Sequence, residues 1–318
     1  MQILEYDDVD PFNVLDLNLL GFRFALTPEL VATIRRFDPR PFPFLAIYAV
    51  DNGVVVGQVG VFRLPVMTLS GPEDIGGIWA MVTHPGYNRT GIGSLLLEEA
   101  HTRMRAASLR FSALGTSRHW VACPFYQRHG YQVIANFASG LNHRENLLRF
   151  DNDKLEATKA TKEELAETDA LFRQVARGKI GFARRHDPFM AMMIEIGDVM
   201  GLDDLRLLRL NGELVGYAVV RPSDILFKVE EIFLRESTSI TDAVIALLRE
   251  SQAPYVQITI NSHSPHLANL RQAGFQVTTS TWDVVMIKSL IDGVPADDLL
   301  ALTDTNKGQF MMSWMDVT

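Results

Sequence analysis

A short turn in the first half of the chain has the residues of an anion-binding site. It follows an apolar stretch that ends in Val82-Thr83-His84-Pro85 and runs Asn88-Arg89-Thr90-Gly91-Ile92-Gly93-Ser94. Gly91 and Gly93 have no Cβ atoms that would keep a ligand away from the backbone. The N–H groups at the start of a helix lack intrahelical partners, so those of Asn88 to Ile92 are expected to point at one spot. This pattern predicts a diphosphate site.

Three kinds of diphosphate site compete for this turn. A nucleotide-hydrolase loop needs a lysine after its last glycine, but no lysine precedes Lys154. A dinucleotide fingerprint needs a third glycine three residues after the second, and that position is Leu96. The pyrophosphate loop of coenzyme A remains.

A second group of chemical interest follows the turn by about thirty residues. Phe125-Tyr126-Gln127-Arg128-His129-Gly130-Tyr131 ends a predicted short helix. Ordinary aromatic packing is one interpretation of Tyr126, and a chemical role is the other. Other reactive side chains are better explained as packing residues: Cys123 as a small buried side chain, and the Met192-Met193 and Met311-Met312 pairs as core or pocket lining. His263 and His266 have ligand-like spacing, but no further metal ligand accompanies them.

The elements that must position these residues occur twice. Asn52-Gly53 and Asn211-Gly212 each join two β-rich runs, as a type I′ hairpin requires. Each hairpin precedes a strand and helix, 75–84 with 92–107 and 229–234 with 240–250. A further strand and short helix then lead to Gly130 in one half and Gly274 in the other.

Three landmarks in the same order indicate an internal duplication. The fold class predicted is α/β with a mixed sheet, in two tandem domains that span residues 1–154 and 155–318. The second copy is degenerate, since its turn at 235–240 has no glycine and carries Glu236. Leu270 occupies the position that corresponds to Tyr126. We therefore expect one coenzyme site, with the second domain bracing the first and lining an acceptor pocket.

Net charge, hydropathy and cysteine content limit the classes of function that the sequence allows. The 318 residues have a net charge of −8, of which residues 155–318 carry −7. Acidity argues against nucleic-acid binding and is compatible with a cationic amine. No apolar run is long enough for a membrane span. A lone cysteine and the absence of a signal sequence predict a cytoplasmic protein. A homo-oligomer is compatible with the sequence.

The segment Thr83 to Gly93, with Tyr126 downstream, resembles the GNAT superfamily of N-acetyltransferases. The resemblance implies acetyl-CoA as co-substrate, no metal, and a small-molecule or protein amine as acceptor. It further implies that the strand backbone at Met81, Val82 and Thr83 pairs with the pantetheine arm, and that Tyr126 protonates the departing thiolate. The loop residues that it assigns to the diphosphate are Asn88, Arg89, Thr90, Gly91, Ile92, Gly93 and Ser94.

Two positions depart from the GNAT pattern. Asn88 replaces the usual Arg or Gln, with Arg89 beside it. Gly77 stands where the family usually has a glutamate as general base. The base is left unassigned, with Glu73, Asp74, His84, a water chain and the terminal carboxylate of Thr318 as options.

The tandem arrangement and the missing glutamate are similar to the enhanced-intracellular-survival type of acetyltransferase and, more loosely, to mycothiol synthase. The sequence therefore predicts an enzyme that moves an acetyl group from acetyl-CoA to a primary amine by direct attack in a ternary complex. The alternative is a non-catalytic acyl-CoA-binding sensor.

Overall fold

The elements of the first half form strands and helices in the predicted order. The computed structural model describes residues 1–149, 154–279, 281, 283–292 and 310–316. The elements up to residue 149 are β1 (Gln2–Glu5), α1 (Pro11–Phe22), α2 (Pro28–Phe37), β2 (Pro41–Asp51), β3 (Val54–Thr68), β4 (Gly71–Thr83), α3 (Ile92–Ala106), β5 (Phe111–Ser117), α4 (Ala122–Arg128), β6 (Gln132–His143) and α5 (Arg144–Leu148).

The second half repeats this order and adds strands at its end. Its elements are β7 (Leu155–Lys159), α6 (Leu165–Val175), β8 (Ile180–Gly181), α7 (Phe189–Ile196), β9 (Leu205–Leu210), β10 (Glu213–Pro222), β11 (Leu226–Leu234), α8 (Ile240–Leu248), β12 (Tyr255–Asn261), α9 (His266–Gln272), β13 (Gln276–Thr278), β14 (Asp283–Ser289) and β15 (Phe310–Met311). The predicted α/β class with a mixed sheet is confirmed.

Both predicted hairpins form at the Asn-Gly pairs. Asn52 and Gly53 have φ values of 50° and 79°, and Asn211 and Gly212 have 50° and 80°. Two consecutive positive φ values are what a type I′ turn needs. Antiparallel pairing of β2 with β3 and of β9 with β10 follows from these turns.

A strand exchange joins the two halves. The sheet order is β1-β2-β3-β4-β5-β14-β6-β12-β11-β10-β9-β7. The late strand β14 therefore lies between β5 and β6 and pairs antiparallel with both. In return, the second part of β6 pairs with β12 and β13 of the second half. The division into domains 1–154 and 155–318 remains a prediction, but the sheet is continuous across residue 154.

The strand β14 also completes the core beside the predicted site. Val284 and Met286 of β14 are buried in the cluster that contains Leu96, Leu114 and Tyr126. Because β4 pairs with β5 only at Gly76–Ser112 and Gly77–Ala113, β14 supplies most of the backbone partners of β5. The second half therefore holds β5 in place, and α4 with Tyr126 is the next element of the chain after β5.

The segment 310–316 is held inside the molecule by a buried arginine. Arg185 is 4% exposed, and its guanidinium lies 2.8 Å from an oxygen of Asp316 and 3.3 Å from an oxygen of Glu231. Arg185 also donates to the Tyr217 hydroxyl at 2.9 Å and lies over the ring of Phe172. The three ionisable side chains are thus paired with one another in the interior, where an isolated charge is costly.

Candidate active site

A bulge in β4 opens the sheet at the predicted site. Gly60 of β3 pairs with Trp79 while Gln58 pairs with Val82, so Ala80 and Met81 face a single residue of β3. Ala80 has a φ of 44°, which is rare for a residue with a side chain. Beyond the bulge, Met81–Thr83 has no pairing to β5 in the part of the chain that the structure describes. This free strand edge can pair with an extended, amide-bearing ligand.

Buried amide side chains hold the bulge in place. Gln58 donates from Nε2 to the Ala80 carbonyl at 3.0 Å, and it accepts from Asn18 Nδ2 at 2.9 Å. Asn18 also donates to the carbonyl of Val14, and both amide side chains are fully buried. Helix α1 lies so close to β4 that a Cβ at Gly21 would overlap the Val82 side chain. The network therefore ties α1 to the strained part of β4.

Replacing Asn18 with leucine should destabilise the protein by about 1–3 kcal/mol, since the substitution leaves the buried Gln58 Oε1 without its donor. Urea unfolding would measure the change. Asp16→Leu is the matched control, because Asp16 is exposed on the same helix and its replacement should stay within about 0.5 kcal/mol. Equal stabilities of the two variants would show that the Asn18 amide contributes nothing.

The glycine-containing turn is fixed from both sides. The Tyr87 hydroxyl donates to Asp51 of the β2–β3 hairpin at 3.1 Å. The start of α3 packs so closely on β3 that a Cβ at Gly57 would lie 2.6 Å from the Ile92 side chain. Gly91 is the N-cap of α3 with a φ of 91°, and it has no side chain to occupy the first-turn N–H groups. These groups remain free for a ligand.

The set of amides is smaller than the sequence predicted. The N–H of Asn88 donates to the Pro85 carbonyl and that of Thr90 to the Tyr87 carbonyl, both at 3.4 Å. The Thr90 hydroxyl also bonds to the Tyr87 carbonyl, at 2.6 Å. The expectation that all amides from Asn88 to Ile92 are unpaired is therefore wrong, because a 3-10 turn at Pro85–Tyr87 uses two of them.

One cavity of about 840 Å³ collects nearly all predicted site residues. It is bounded by the end of β4, the turn, the start of α3 and the helix α4. Of the predicted residues, those that line it are Met81, Val82, Thr83, Asn88, Arg89, Gly91, Ile92, Gly93, Ser94 and Tyr126. Thr90 is not among the lining residues.

Tyr126 reaches the cavity from the opposite wall. Its side chain is 7% exposed, and its hydroxyl contacts Met81 Sδ at 3.5 Å, a weak acceptor. Burial raises the pKa of Tyr126 to about 12, so the phenol stays protonated at neutral pH. The ring packs edge-on against Phe125 and Tyr131. A neutral, weakly engaged O–H thus lies beside the free edge of β4.

Residues 13–131 match the model of the acetyltransferase (GNAT) family. The matched segment is less than half of the chain. Solved structures with the same fold cover almost the whole chain. A GCN5-related N-acetyltransferase from Kribbella flavida has a TM-score of 0.66 and 17% identity, over 94% of this chain and 73% of its own.

Two further structures show the same fold. A conserved protein of Enterococcus faecalis V583, described as a probable N-acyltransferase, has a TM-score of 0.71 and 14% identity, over 91% of this chain and 72% of its own. Eis1 from Mycobacterium abscessus has a TM-score of 0.63 and 14% identity, over 91% and 74%. The search of curated proteins finds no match. Both halves therefore belong to a fold shared with GNAT proteins.

The structure leaves fewer candidates for a general base at the cavity. Glu73 pairs with Arg110 at 2.8 Å, and Asp74 lies 4.0 Å from Arg184. Both residues are at the start of β4, roughly 25 Å from Met81 by the rise of a strand. His84 is half-buried and accepts the N–H of Gly86 at 3.1 Å. Thr318 lies outside the described residues.

The usual position of the GNAT glutamate is closed in this chain. A Cβ at Gly77 would lie 2.7 Å from Leu64 Cδ1, so the side chain of Leu64 fills the space that another residue would need. The absence of a carboxylate at this position is therefore part of the packing.

The second half differs from the first half at the corresponding helix start. Ser239 caps α8, and its hydroxyl accepts the Asp242 N–H at 3.3 Å. A first-turn N–H group that is free in α3 is therefore hydrogen-bonded to a side chain in α8. Leu270 is fully buried, as expected for a packing residue. A cavity of about 480 Å³ lies between the ends of β11 and β12, next to Met311 and Met312.

Sequence reasoning missed the residues that support the candidate site from behind. Asn18 and Gln58 are polar residues within apolar segments, which was the available signal. His129 contacts Ser94 at 3.1 Å, and sequence alone gave it no role. Cys123 and the methionines 192, 193, 311 and 312 are buried, which confirms their interpretation as packing residues. Among the described residues no helix is long and apolar enough to cross a membrane, and no cluster with three metal-ligand residues occurs.

Proposed function

We propose that this protein is an N-acetyltransferase that transfers the acetyl group of acetyl-CoA to a primary amine. The observation that carries the proposal is a single cavity with three parts: the free edge of β4, the uncapped start of α3 and the Tyr126 hydroxyl. In this assignment the backbone of Met81–Thr83 pairs with the amides of the pantetheine arm. The first-turn N–H groups of α3, with Arg89 and Ser94, hold the diphosphate.

The residues divide the reaction between them. The β4 bulge turns backbone N–H groups toward the thioester carbonyl and stabilises the negative charge that develops on its oxygen. The amine nitrogen forms a bond to the carbonyl carbon, and the carbon–sulfur bond breaks. Tyr126 gives its proton to the leaving sulfur, and the attacking nitrogen loses a proton to solvent or to a base not yet assigned. Both substrates are held together, so transfer is direct.

The test is release of free thiol from acetyl-CoA in the presence of a panel of amines, with calorimetry for binding. We expect one acetyl-CoA per chain and turnover with at least one amine. Gly93→Glu should weaken binding at least about ten-fold, since a carboxylate would enter the diphosphate site. Gly93→Ala is the matched control. Its Cβ would make only ordinary contacts, 3.4 Å from Met81 and 3.6 Å from Phe125.

The outcomes separate the two candidate functions. Binding without turnover for any amine would favour the acyl-CoA sensor over the enzyme, in line with the closed Gly77 position. Two equivalent binding sites per chain would contradict the single-site assignment. No binding of acetyl-CoA at all would refute both functions.

The acceptor that we propose is a cationic amine. Its support is the net charge of −7 that residues 155–318 carry, against −1 for the rest. A field of this sign attracts a cation toward the molecule and repels an anion. The class includes polyamines and aminoglycosides.

Raising ionic strength from about 0.01 M to 0.5 M should therefore lower kcat/KM for a polyamine several-fold, because the screening length falls from about 30 Å to a few ångströms. The kcat/KM of a neutral amine analogue is the control and should change little. Salt-independent kinetics, or a preference for anionic amino acids, would contradict steering by charge.

A further inference from the structure

Three side chains at the rim of the cavity form a hydrogen-bonded chain. Ser94 Oγ lies 3.1 Å from His129 Nε2, and His129 Nδ1 lies 3.4 Å from Glu98 Oε1. Ser94 and Glu98 are one turn apart on α3, and His129 follows directly after α4. The His129 ring packs on Phe125 with a centroid distance of 4.7 Å, and its side chain is 18% exposed. These hydrogen bonds therefore connect the cavity wall, through the imidazole of His129, to the carboxylate of Glu98.

The carboxylate determines which ring nitrogen of His129 carries a proton. Burial raises the pKa of Glu98, but its interactions with His101, the His129 hydrogen bond and Lys288 together bring it below the ordinary value. Glu98 is thus ionised at neutral pH and can only accept hydrogen bonds. The hydrogen between Glu98 and His129 must then be on Nδ1. Nε2, which faces Ser94, is the position at which the imidazole gains or loses a proton.

The protonation state of Nε2 decides what the Ser94 hydroxyl can do. When His129 is neutral, Nε2 accepts the Ser94 hydrogen, and the hydroxyl has no proton for a ligand. When His129 is an imidazolium, Nε2–H donates to Ser94 Oγ, and the Ser94 hydrogen is free to turn into the cavity. Protonation therefore provides both a positive charge and a hydrogen-bond donor at the same wall.

The other ionisable groups around His129 do not make this protonation-dependent hydrogen bond to Ser94. Lys288 of β14 packs beside Gly130 and is partly buried, which lowers its pKa. His101 lies further along α3, and burial lowers its pKa to about 4, so it is neutral at neutral pH. Arg128 precedes His129 and lines the cavity. Of these, only His129 is hydrogen-bonded to a cavity-lining hydroxyl.

We infer that His129 is a proton-linked binding residue for the diphosphate of the coenzyme: it takes up a proton when the anion binds and passes a hydrogen bond through Ser94 to a phosphate oxygen. This inference rests on the proposed acetyl-CoA site. An anion beside Ser94 stabilises the imidazolium, and by linkage the imidazolium binds the anion more tightly. Affinity for the anion should therefore decrease as pH rises.

The experiment is calorimetric titration with 3′-dephospho-CoA in buffers of different ionisation enthalpy. This probe keeps the diphosphate and lacks the 3′-phosphomonoester, whose own proton equilibrium near pH 6 would otherwise contribute. The wild-type protein should take up a fraction of a proton per ligand bound near pH 7. Its Kd should increase about five-fold or more between pH 6 and pH 8.

Two variants test the assignment to His129. His129→Gln keeps an amide that can bond to Ser94 but does not titrate, so it should bind without proton uptake and with a Kd that is independent of pH. His143→Gln is the control, because His143 lies at the end of β6 and packs edge-on against Tyr255 of β12, and it should behave as the wild type. Equal proton uptake by the wild type and His129→Gln, or none by either, would overturn the inference while leaving the site intact. No binding by any of the three would refute the proposed coenzyme site itself.

Discussion

Replacing Tyr126 with phenylalanine is expected to lower kcat by about 100-fold or more, with coenzyme affinity nearly unchanged. The substitution removes the proton that the leaving sulfur needs, and a positioned acid contributes at least about that factor. Packing should survive, because the hydroxyl has only the weak Met81 sulfur contact to lose, while the ring keeps its neighbours Phe125 and Tyr131. The measurement is the rate of thiol release at saturating acetyl-CoA, with Kd from calorimetry.

Tyr255→Phe is the matched control, since Tyr255 is an exposed tyrosine of β12, and its replacement should leave kcat unchanged. The pH profile provides a second check. Because burial raises the pKa of Tyr126 to about 12, the acid stays protonated as pH rises, and kcat should show no alkaline loss from Tyr126 below about pH 11. An unaltered rate in Tyr126→Phe would assign the acid to another group.

Replacing Arg185 with methionine is expected to lower the free energy of unfolding by about 3–5 kcal/mol at pH 8. The variant leaves Glu231 and Asp316 buried without their cation, and removing one partner of a buried ion pair costs about this much. Urea unfolding would measure the loss. Arg173→Met is the control, because the Arg173–Asp187 pair is more than half exposed on both sides and should contribute less than about 1 kcal/mol.

The pH dependence of this loss has a definite sign. Burial already raises the pKa of Glu231 to about 8, with Arg185 acting in the opposite direction, and burial also raises the pKa of Asp316. Without Arg185 both values rise further. A carboxyl with a raised folded-state pKa stabilises the fold in its protonated form and loses this contribution as pH rises. The variant should therefore lose less stability at pH 5 than at pH 8, and a loss independent of pH would contradict this account.

The parts of the structure that sequence predicts well depend on local chemistry. An Asn-Gly pair can form its tight turn wherever it occurs, and both hairpins formed where they were expected. Glycines next to a helix start have the same local character, and Gly91 adopts the positive φ that favours glycine. Tyr126 and the turn were assigned to one site through their resemblance to the GNAT pattern, and the structure places them in one cavity.

The parts that sequence did not predict depend on partners far along the chain. The β4 bulge requires Gln58, which in turn requires Asn18 on α1, and neither amide has a recognisable motif. The exchange of β6 and β14 cannot be seen in the hydrophobic pattern either, because a buried strand has the same pattern beside any neighbour. The repeat predicted two similar halves, but it contained no information on which strand would complete which part of the sheet.

The exchange of β14 also sets an order of events during synthesis. A ribosome that has released β5 must translate nearly all of the second half before Asp283–Ser289 emerges to pair with it. At about 5–20 residues per second, the β5 edge stays open for roughly ten seconds or more. An unpaired strand edge is a template for association with other chains. The nascent first half should therefore be a substrate for chaperones until translation ends, and stalled or nonsense-truncated chains should aggregate instead of accumulating as a smaller enzyme.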